Sequence, residues 1–415
     1  MGQKLDILVV GGGAAGFFSA IRAAELNPRA RILILEQGKE VLGKVKISGG
    51  GRCNVTHACW TPRELSKHYP RGEKELLGPF HRFACGDTVD WFAKRGVETK
   101  IEDDGRMFPC SDSSQTIVDC LLSEARKNRV AVHTREKLLD LQPPASDDER
   151  WTVRSSRDTY QPLQVMMATG SSRKMWHLLA GLGLPLVEPV ASLFTFNIRD
   201  PRIQDLAGIA VPNAEVKVEK SKLSSTGPIL ITHWGLSGPA VLKLSAWGAR
   251  GLASLGYDFN IRINWILENQ EQCREHLESL MRQAPRKKAS GHPQFNLPAR
   301  LWKHMVAAAA IPDDRRWQDL SKKHLSKLTE ELCAGHYRVQ GKSTFKEEFV
   351  TAGGVDLREV DFKCFASKTY PSLFLAGEVL NIDAITGGFN FQAAWTGGYL
   401  AGTAMAQISV SEPAI

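Results

Sequence analysis

The sequence predicts an α/β chain. A parallel-sheet domain built from both ends of the polypeptide is interrupted by an antiparallel β unit that itself carries a helical insert. Three observations predict it. Continuous apolar runs, as strands buried on both faces require, occur near both ends, at Leu5–Val10, Ala30–Leu35, Val165–Ala168 and Leu373–Ala376. Strict alternation of apolar and polar residues replaces them between about 190 and 265, the mark of antiparallel strands with one wet face. A helical period then runs from about 266 to 336. The expected boundaries are 1–190 and 350–415 for the first domain, 191–265 with 337–349 for a β-barrel-like insert, and 266–336 for the helical insert.

Taken in order, residues 5–36 read as one βαβ unit. Leu5–Val10 is the first strand, Gly11–Gly16 the turn, and Ala14–Leu26 an alanine-rich helix closed before Pro28. The strand Ala30–Leu35 ends at Glu36, and a right-handed crossover of this length sets the two strands parallel and adjacent. Helices with polar loops fill most of 60–130, among them Asp87–Lys94 and Gln115–Lys127, the second preceded by Ser113 and keeping helical spacing at Ile117, Val118, Leu121 and Leu122. Short strands follow at Val130–His133 and Lys137–Leu141. The alternating strands are Leu193–Arg199, Ala214–Glu219, Ile229–His233 and Tyr257–Asn264. In the helical insert Cys273, Leu277, Leu280 and Met281 share one face, Pro298 opens a second helix, and Gly335 reads as the left-handed residue that closes a third. Thr386–Gln407 reads as a final helix rich in glycine and alanine.

Composition bounds the function. The chain has 415 residues, 43% hydrophobic and 24% charged, which suits a folded chain of two to four domains at roughly 100–200 residues each. Lys and Arg number 53 against 45 Asp and Glu, a net +8 that suits anionic ligands but is spread too thinly to be a nucleic-acid signature. The helical insert carries 12 basic and 9 acidic residues, with basic spots at Arg286–Lys288 and Lys322–Lys323, and these read as solvated helix faces. No apolar run approaches the ~18 residues of a membrane span. The N-terminus enters a strand without the charged and cleavable segments of a signal peptide. A reduced cytoplasm is the expected compartment, and no membrane is an expected partner. The 8 cysteines are scattered without a C-x-x-C pair, which argues against zinc, iron–sulfur and disulfide frameworks; no metal is expected.

Four motifs carry chemistry. Gly11-Gly12-Gly13-Ala14-Ala15-Gly16 fits G-x-G-x-x-G, follows a strand, opens a helix, and is succeeded by Glu36 at the end of the next strand. Its glycines let the backbone approach a pyrophosphate at the helix mouth, and Glu36, with Gln37 beside it, would meet the adenosine ribose. A second glycine-rich loop, Gly43 to Thr56, offers Lys44 and Arg52 against phosphate, and Ser48, Gly49, Gly50, Gly51, Cys53 and Asn54 against a flat ligand. That loop favours FAD over NAD, because FAD extends beyond the first helix. Ala168-Thr169-Gly170 ends a buried strand where the sheet edge would approach the cofactor. Last come Gly377 and Glu378, then Asp383, then Gly387, Gly388, Phe389 and Asn390, where Glu378 or Asp383 would meet the ribityl hydroxyls or line the site. The Gly387-Gly388 helix mouth would stabilise negative charge at the flavin N1–C2=O locus. Leu138 is counted with the cofactor-binding residues.

Together these stretches resemble the HI0933-like family of NAD(P)/FAD-dependent oxidoreductases, also called the YhiN or BaiN family, within the glutathione-reductase-type two-dinucleotide-binding flavoproteins. The match rests on Lys46 to Asn54, on Thr232-His233-Trp234-Gly235-Leu236-Ser237-Gly238-Pro239, and on Ala376-Gly377-Glu378 running to Asn390. Val350 to Val355 and Gly105-Arg106-Met107-Phe108-Pro109 also fit. The resemblance implies a Rossmann-like FAD-binding domain from both termini, a β-barrel-like middle domain and a helical insert. One branch resembles reductases of activated C=C bonds in steroid-type enones.

The expected activity is hydride transfer through flavin N5 between a nicotinamide and a small organic substrate. No second G-x-G-x-x-G is present, so either NADH or NADPH docks transiently on the flavin face or another reductant serves. Cys53 and His233 are the candidate catalytic residues, the latter because imidazole titrates near neutrality. A small molecule is expected as partner ahead of nucleic acid. Two other classes stay open: an RNA-linked flavoprotein using the basic insert, and a non-catalytic or sensory flavoprotein.

Overall fold

In the computed structural model, which describes residues 2–146, 149–343 and 350–407, the first apolar run becomes strand β1 (Gln3–Val10). The glycine turn leads into helix α1 (Ala14–Leu26) and then β2 (Ile32–Leu35). Next come α2 (Gly43–Gly51), β3 (Ala131–His133) and β4 (Thr159–Met167). Far along the chain follow β5 (Leu373–Leu375) and α3 (Phe389–Met405). The sheet order β5-β4-β1-β2-β3 is parallel throughout, with Val10 opposite both Leu35 and Met167, and Met167 also opposite Leu375. Every side chain of β2 and β5 is buried, which is why these strands read as unbroken apolar runs. The antiparallel pair Leu138–Gln142 and Thr152–Ser155 joins the sheet at β4.

The chain divides into two compact units, Met1–Val190 with Lys346–Ile415, and Ala191–Phe345. The first is the Rossmann-like unit. Its two stretches meet at α1 and α3, which cross so closely that a Cβ on Gly402 would lie 2.4 Å from Ser19 O, and one on Gly398 2.7 Å from Ala15 O.

The second unit is an antiparallel barrel. Its strand order is Gly335–Gln340, Asp258–Asn264, Ala210–Val218, Ser224–Thr232, Gly235–Ser237, Thr195–Asn197, Lys342–Ser343. The first and last of these are consecutive in the chain. The strand bends at Gly341 (φ +100°), pairing on one side with Asp258–Asn264 and on the other with Thr195–Asn197, so the sheet closes on itself. Alternate residues Val216, Val218, Ile261, Ile263, Tyr337 and Val339 fill its interior. The helices Gln270–Gln283, Ala299–Ala308 and Lys322–Ala334 follow around buried Trp302 and Trp317, the first and third opened by capping boxes at Asn269 and Ser321. Gly335 departs from expectation: at φ −59° it is not left-handed and passes directly into a strand. Of the expected boundaries, 344–349 and 408–415 lie outside the described residues.

Candidate cofactor cradle and active site

The ends of β1 and β4 come into contact at Gly11. Its φ is +109°, and a Cβ there would lie 2.3 Å from Ala168 O, so only glycine fits. The chain then enters α1 at Gly13, where no side chain caps the helix, leaving the amides of Ala14, Ala15 and Gly16 as the unbonded donors of its first turn. Gly13 itself has an ordinary φ of −96°, and a Cβ there would meet nothing within 4 Å. Thr169, at the end of β4, carries a buried Oγ1 with no hydrogen-bond partner among the described residues. Gly377, after β5, faces Ala15: a Cβ there would lie 3.4 Å from the Ala15 Cβ. Gly11, Ala14, Ala15, Ala168, Thr169 and Gly377 thus share the C-terminal edge of the parallel sheet, the edge at which open α/β sheets bind ligands.

Glu36 closes the turn from the β2 side. Its Oε2 accepts from Gly12 N (2.9 Å) and its Oε1 from Gly38 N (2.6 Å). Each oxygen keeps a second lone pair for a hydroxyl. Gln37 beside it is exposed, whereas Leu138 is buried opposite Ser155. The segment after Glu36 is tied in by Glu136 N donating to Glu36 O (2.9 Å) and Arg135 N to Gly38 O (2.8 Å). A cleft of about 640 Å³ opens there, lined by Lys39, His133, Arg135, Arg157 and Tyr160 among others. Buried Glu136 stays ionised in it: burial pushes its pKa up, but hydrogen bonds from Ser155, Tyr160 and His133 prevail and hold it below the usual range. None of these residues carries a sequence motif.

The second glycine-rich stretch is not the open loop expected. Gly43–Ile47 forms a helical turn entered from left-handed Leu42, and Ser48 then breaks it. Gly49, Gly50 and Gly51 are all left-handed, and so is Cys53 (φ +61°). Asn54 locks this stretch onto α3. In the amide orientation its neighbours require, Nδ2 donates to Thr56 O (3.0 Å) and Oδ1 accepts from Gly388 N (2.9 Å). Beneath it lies a buried network: Thr56 and Thr88 hydroxyls donate to Gln392 Oε1 (2.6 and 2.9 Å), and Gln392 Nε2 donates to Thr396 Oγ1 (3.1 Å). Gly388, left-handed at φ +90°, begins α3 with no side-chain cap. Phe389 stacks on His68 (centroids 4.2 Å) and leans on His57 (4.5 Å), while Tyr69 OH donates to Phe389 O (2.6 Å) and His57 Nδ1 lies 3.0 Å from Gly387 O. Asn390 braces the preceding loop, accepting from Ala384 N at 3.0 Å. The segments around 54, 105–109 and 387–390 meet here, with Thr56–His57 paired to Arg106–Met107.

Several sequence expectations change at this site. Asp383 does not face the cradle: it is completely buried, and both carboxylate oxygens are held by the Arg71 guanidinium. Lys44 is ion-paired with Glu378, whose carboxylate also lies near Gly170. Arg52 pairs with Glu102 (2.5 Å) and lies over the Phe108 ring (4.0 Å). Each of these cations is thus already paired with a carboxylate. Cys53 is fully buried, and its thiol is pushed up to about 12 by that burial, against a hydrogen bond with Ser48; it stays protonated near neutrality and is a poor nucleophile. His233 belongs to the barrel unit, exposed on the hairpin between Ser224–Thr232 and Gly235–Ser237. Tyr69, His68 and Arg71 went unnoticed in the sequence, because their partners lie far along the chain.

The residues present fit a dinucleotide. An uncapped helix mouth, a glycine with open space where a side chain would be tolerated, and an orphaned buried hydroxyl share one sheet edge. A second uncapped helix, α3, begins beside the glycine-rich turn.

Comparison with known proteins agrees. The HI0933-like protein Rossmann domain family matches residues 5–404, and the chain belongs to that family. It is an FAD-dependent oxidoreductase. The ribosomal RNA dihydrouridine synthase of Escherichia coli is 28% identical over 406 residues, covering 95% of this chain and 96% of that protein. The 3-dehydro-bile acid delta(4,6)-reductase of Clostridium scindens is 26% identical over 411 residues, covering 96% and 98%. Among solved structures, the 3-ketosteroid delta1-dehydrogenase of Sterolibacterium denitrificans shares the fold, with TM-score 0.52, 12% identity, and 97% and 99% coverage. Among the described residues no helix is long and apolar enough to cross a membrane.

Proposed function

We propose that this enzyme saturates a carbon–carbon double bond conjugated to a carbonyl, with FAD as immediate reductant and NADH or NADPH as electron source. One observation carries the reading: relatives aligned over nearly the whole chain are named for this single chemistry on unlike substrates. Dihydrouridine arises by saturating the uracil 5,6 bond, conjugated to a ring carbonyl, and a delta(4,6)-reductase of 3-dehydro compounds acts on bonds conjugated to the 3-oxo group.

When bound and reduced by NADH or NADPH, the flavin would supply from N5 the hydride for the carbon β to the carbonyl, with a proton completing the α carbon and the flavin returned to its oxidised form. In this reading the unit built from both chain stretches is the FAD domain. Gly11, Gly13, Ala14, Ala15 and Gly16 hold the diphosphate, and Glu36, Gln37 and Leu138 the adenosine end. Ala168, Thr169, Gly170, Gly377 and the Lys44–Glu378 pair flank the ribityl chain. Ser48 to Asn54 and Gly387 to Asn390 hold the ring, with α3 amides aimed at the developing negative charge. His57 and His68, stacked at that helix mouth, are candidate proton donors alongside His233.

The test is anaerobic. NADH or NADPH bleaches the flavin band, and a 3-oxo-Δ4 steroid or a uridine-containing RNA restores it. Protein reoxidised by a quinone or an imine but by no conjugated C=C bond overturns the reading.

A further inference from the structure

The helical part of the barrel unit joins two basic segments that are separate in sequence. Lys288 and Arg316 form an antiparallel β-bridge. Ala289 N donates to Arg315 O (2.9 Å) and Trp317 N to Lys287 O (3.0 Å), completing a short two-stranded ribbon. The ribbon is fixed from below. Trp302 and Trp317 are completely buried, Trp302 Nε1 donating to Ala289 O (2.8 Å) and Trp317 Nε1 to His292 Nδ1 (3.2 Å).

Above this floor Arg286, Lys287, Lys288, Arg315 and Arg316 are all exposed. Among the described residues none of these five cations forms an ion pair. The nearby carboxylates do not neutralise them. Asp313 is engaged by Lys303 (3.2 Å), feeling Lys288 only at longer range, and Asp314 and Asp319 are exposed. Cations on a solvated helix face ordinarily alternate with carboxylates. Five on one rigid ribbon repel one another, and a polyanion relieves that repulsion while releasing its own counterions.

We infer that this ribbon grips the phosphodiester backbone of an RNA, an inference that stands apart from the C=C reading above. The sequence showed only the spot at 286–288. Arg315 and Arg316 joined it through a backbone pairing that no periodicity announces.

The experiment uses the full FAD-loaded chain and a fluorescent, uridine-containing RNA hairpin, followed by anisotropy across a salt series. At roughly −0.7 in log K per log salt for each contact, five phosphate contacts predict about a tenfold loss of affinity on doubling the salt. Lys288→Glu with Arg316→Glu lowers RNA affinity more than tenfold and flattens the salt slope, while FAD content and NADH-driven bleaching stay as in the parent. Lys287→Gln with Arg315→Gln, a gentler pair, gives a smaller loss in the same direction should the reversal disturb folding. Unchanged RNA affinity in both variants, salt-insensitive binding, or binding to phosphatidylglycerol vesicles in preference to RNA overturns the inference. A parent enzyme that binds RNA as predicted but reduces no conjugated C=C bond overturns the C=C reading and leaves the ribbon standing.

Discussion

Gly13 and Gly388 are glycines for opposite reasons. At Gly388 the fold alone demands it: φ is +90° and a Cβ would meet Thr56 O at 2.5 Å. At Gly13 the backbone is ordinary and a side chain would enter open space. In the proposed reading that space is where the diphosphate passes. Gly13→Val is expected to fold with a melting temperature near that of the parent, yet to purify without FAD, read from the ratio of flavin to protein absorbance. A variant that stays fully yellow would place the diphosphate elsewhere. At this scale the glycine fingerprint and Glu36 were legible because they are adjacent in sequence and tied to one turn. The Arg71–Asp383 pair spans 312 positions, and nothing local at Asp383 distinguishes a buried ion-pair partner from a ligand-facing acid. Phe389 between His57 and His68 is equally silent, since three aromatic residues far apart in sequence carry no period.

Helices were legible where apolar spacing and end signals agreed. Ala14–Leu26 is observed as read, and Ser113 caps the helix Ser114–Lys127 by accepting from Gln115 N. The turn at Gly43–Ile47 was missed because one helical turn is shorter than any period and its entry is a left-handed leucine. Gly335 was misjudged because the chain leaves that helix in an extended conformation. The contact that matters most between elements is α1 against α3. Its closeness depends on Gly398 and Gly402, with Arg22 Nε donating to Thr403 Oγ1 (3.1 Å) beside it. Gly402→Val must push the helices apart, costing about 1–3 kcal/mol of stability by urea denaturation. Because Ala15 lies on the same face, FAD affinity falls with it. A variant as stable as the parent would show that the interface yields more readily than its spacing suggests.

At the scale of the whole molecule, the cradle is assembled from stretches separated by an entire barrel unit. A chain ending at Pro371 keeps the complete G-x-G-x-x-G turn and Glu36 but lacks β5, Gly377 and α3. It leaves β4 with an unpaired edge and α1 without its partner. Such a chain is expected to purify without flavin, measured by release of FAD on heating; a yellow truncation would mean that the first stretch alone makes the site.

The barrel offers the converse case. Because one strand bends at Gly341 and serves as both its first and its last stave, the two ends of that sheet are one continuous piece of chain with a neighbour on each side. A β unit closed in this way offers fewer free edges on which a second, half-made copy could lay a strand during synthesis. It can stand finished in the cell while the sheet it interrupts still waits for its final strand.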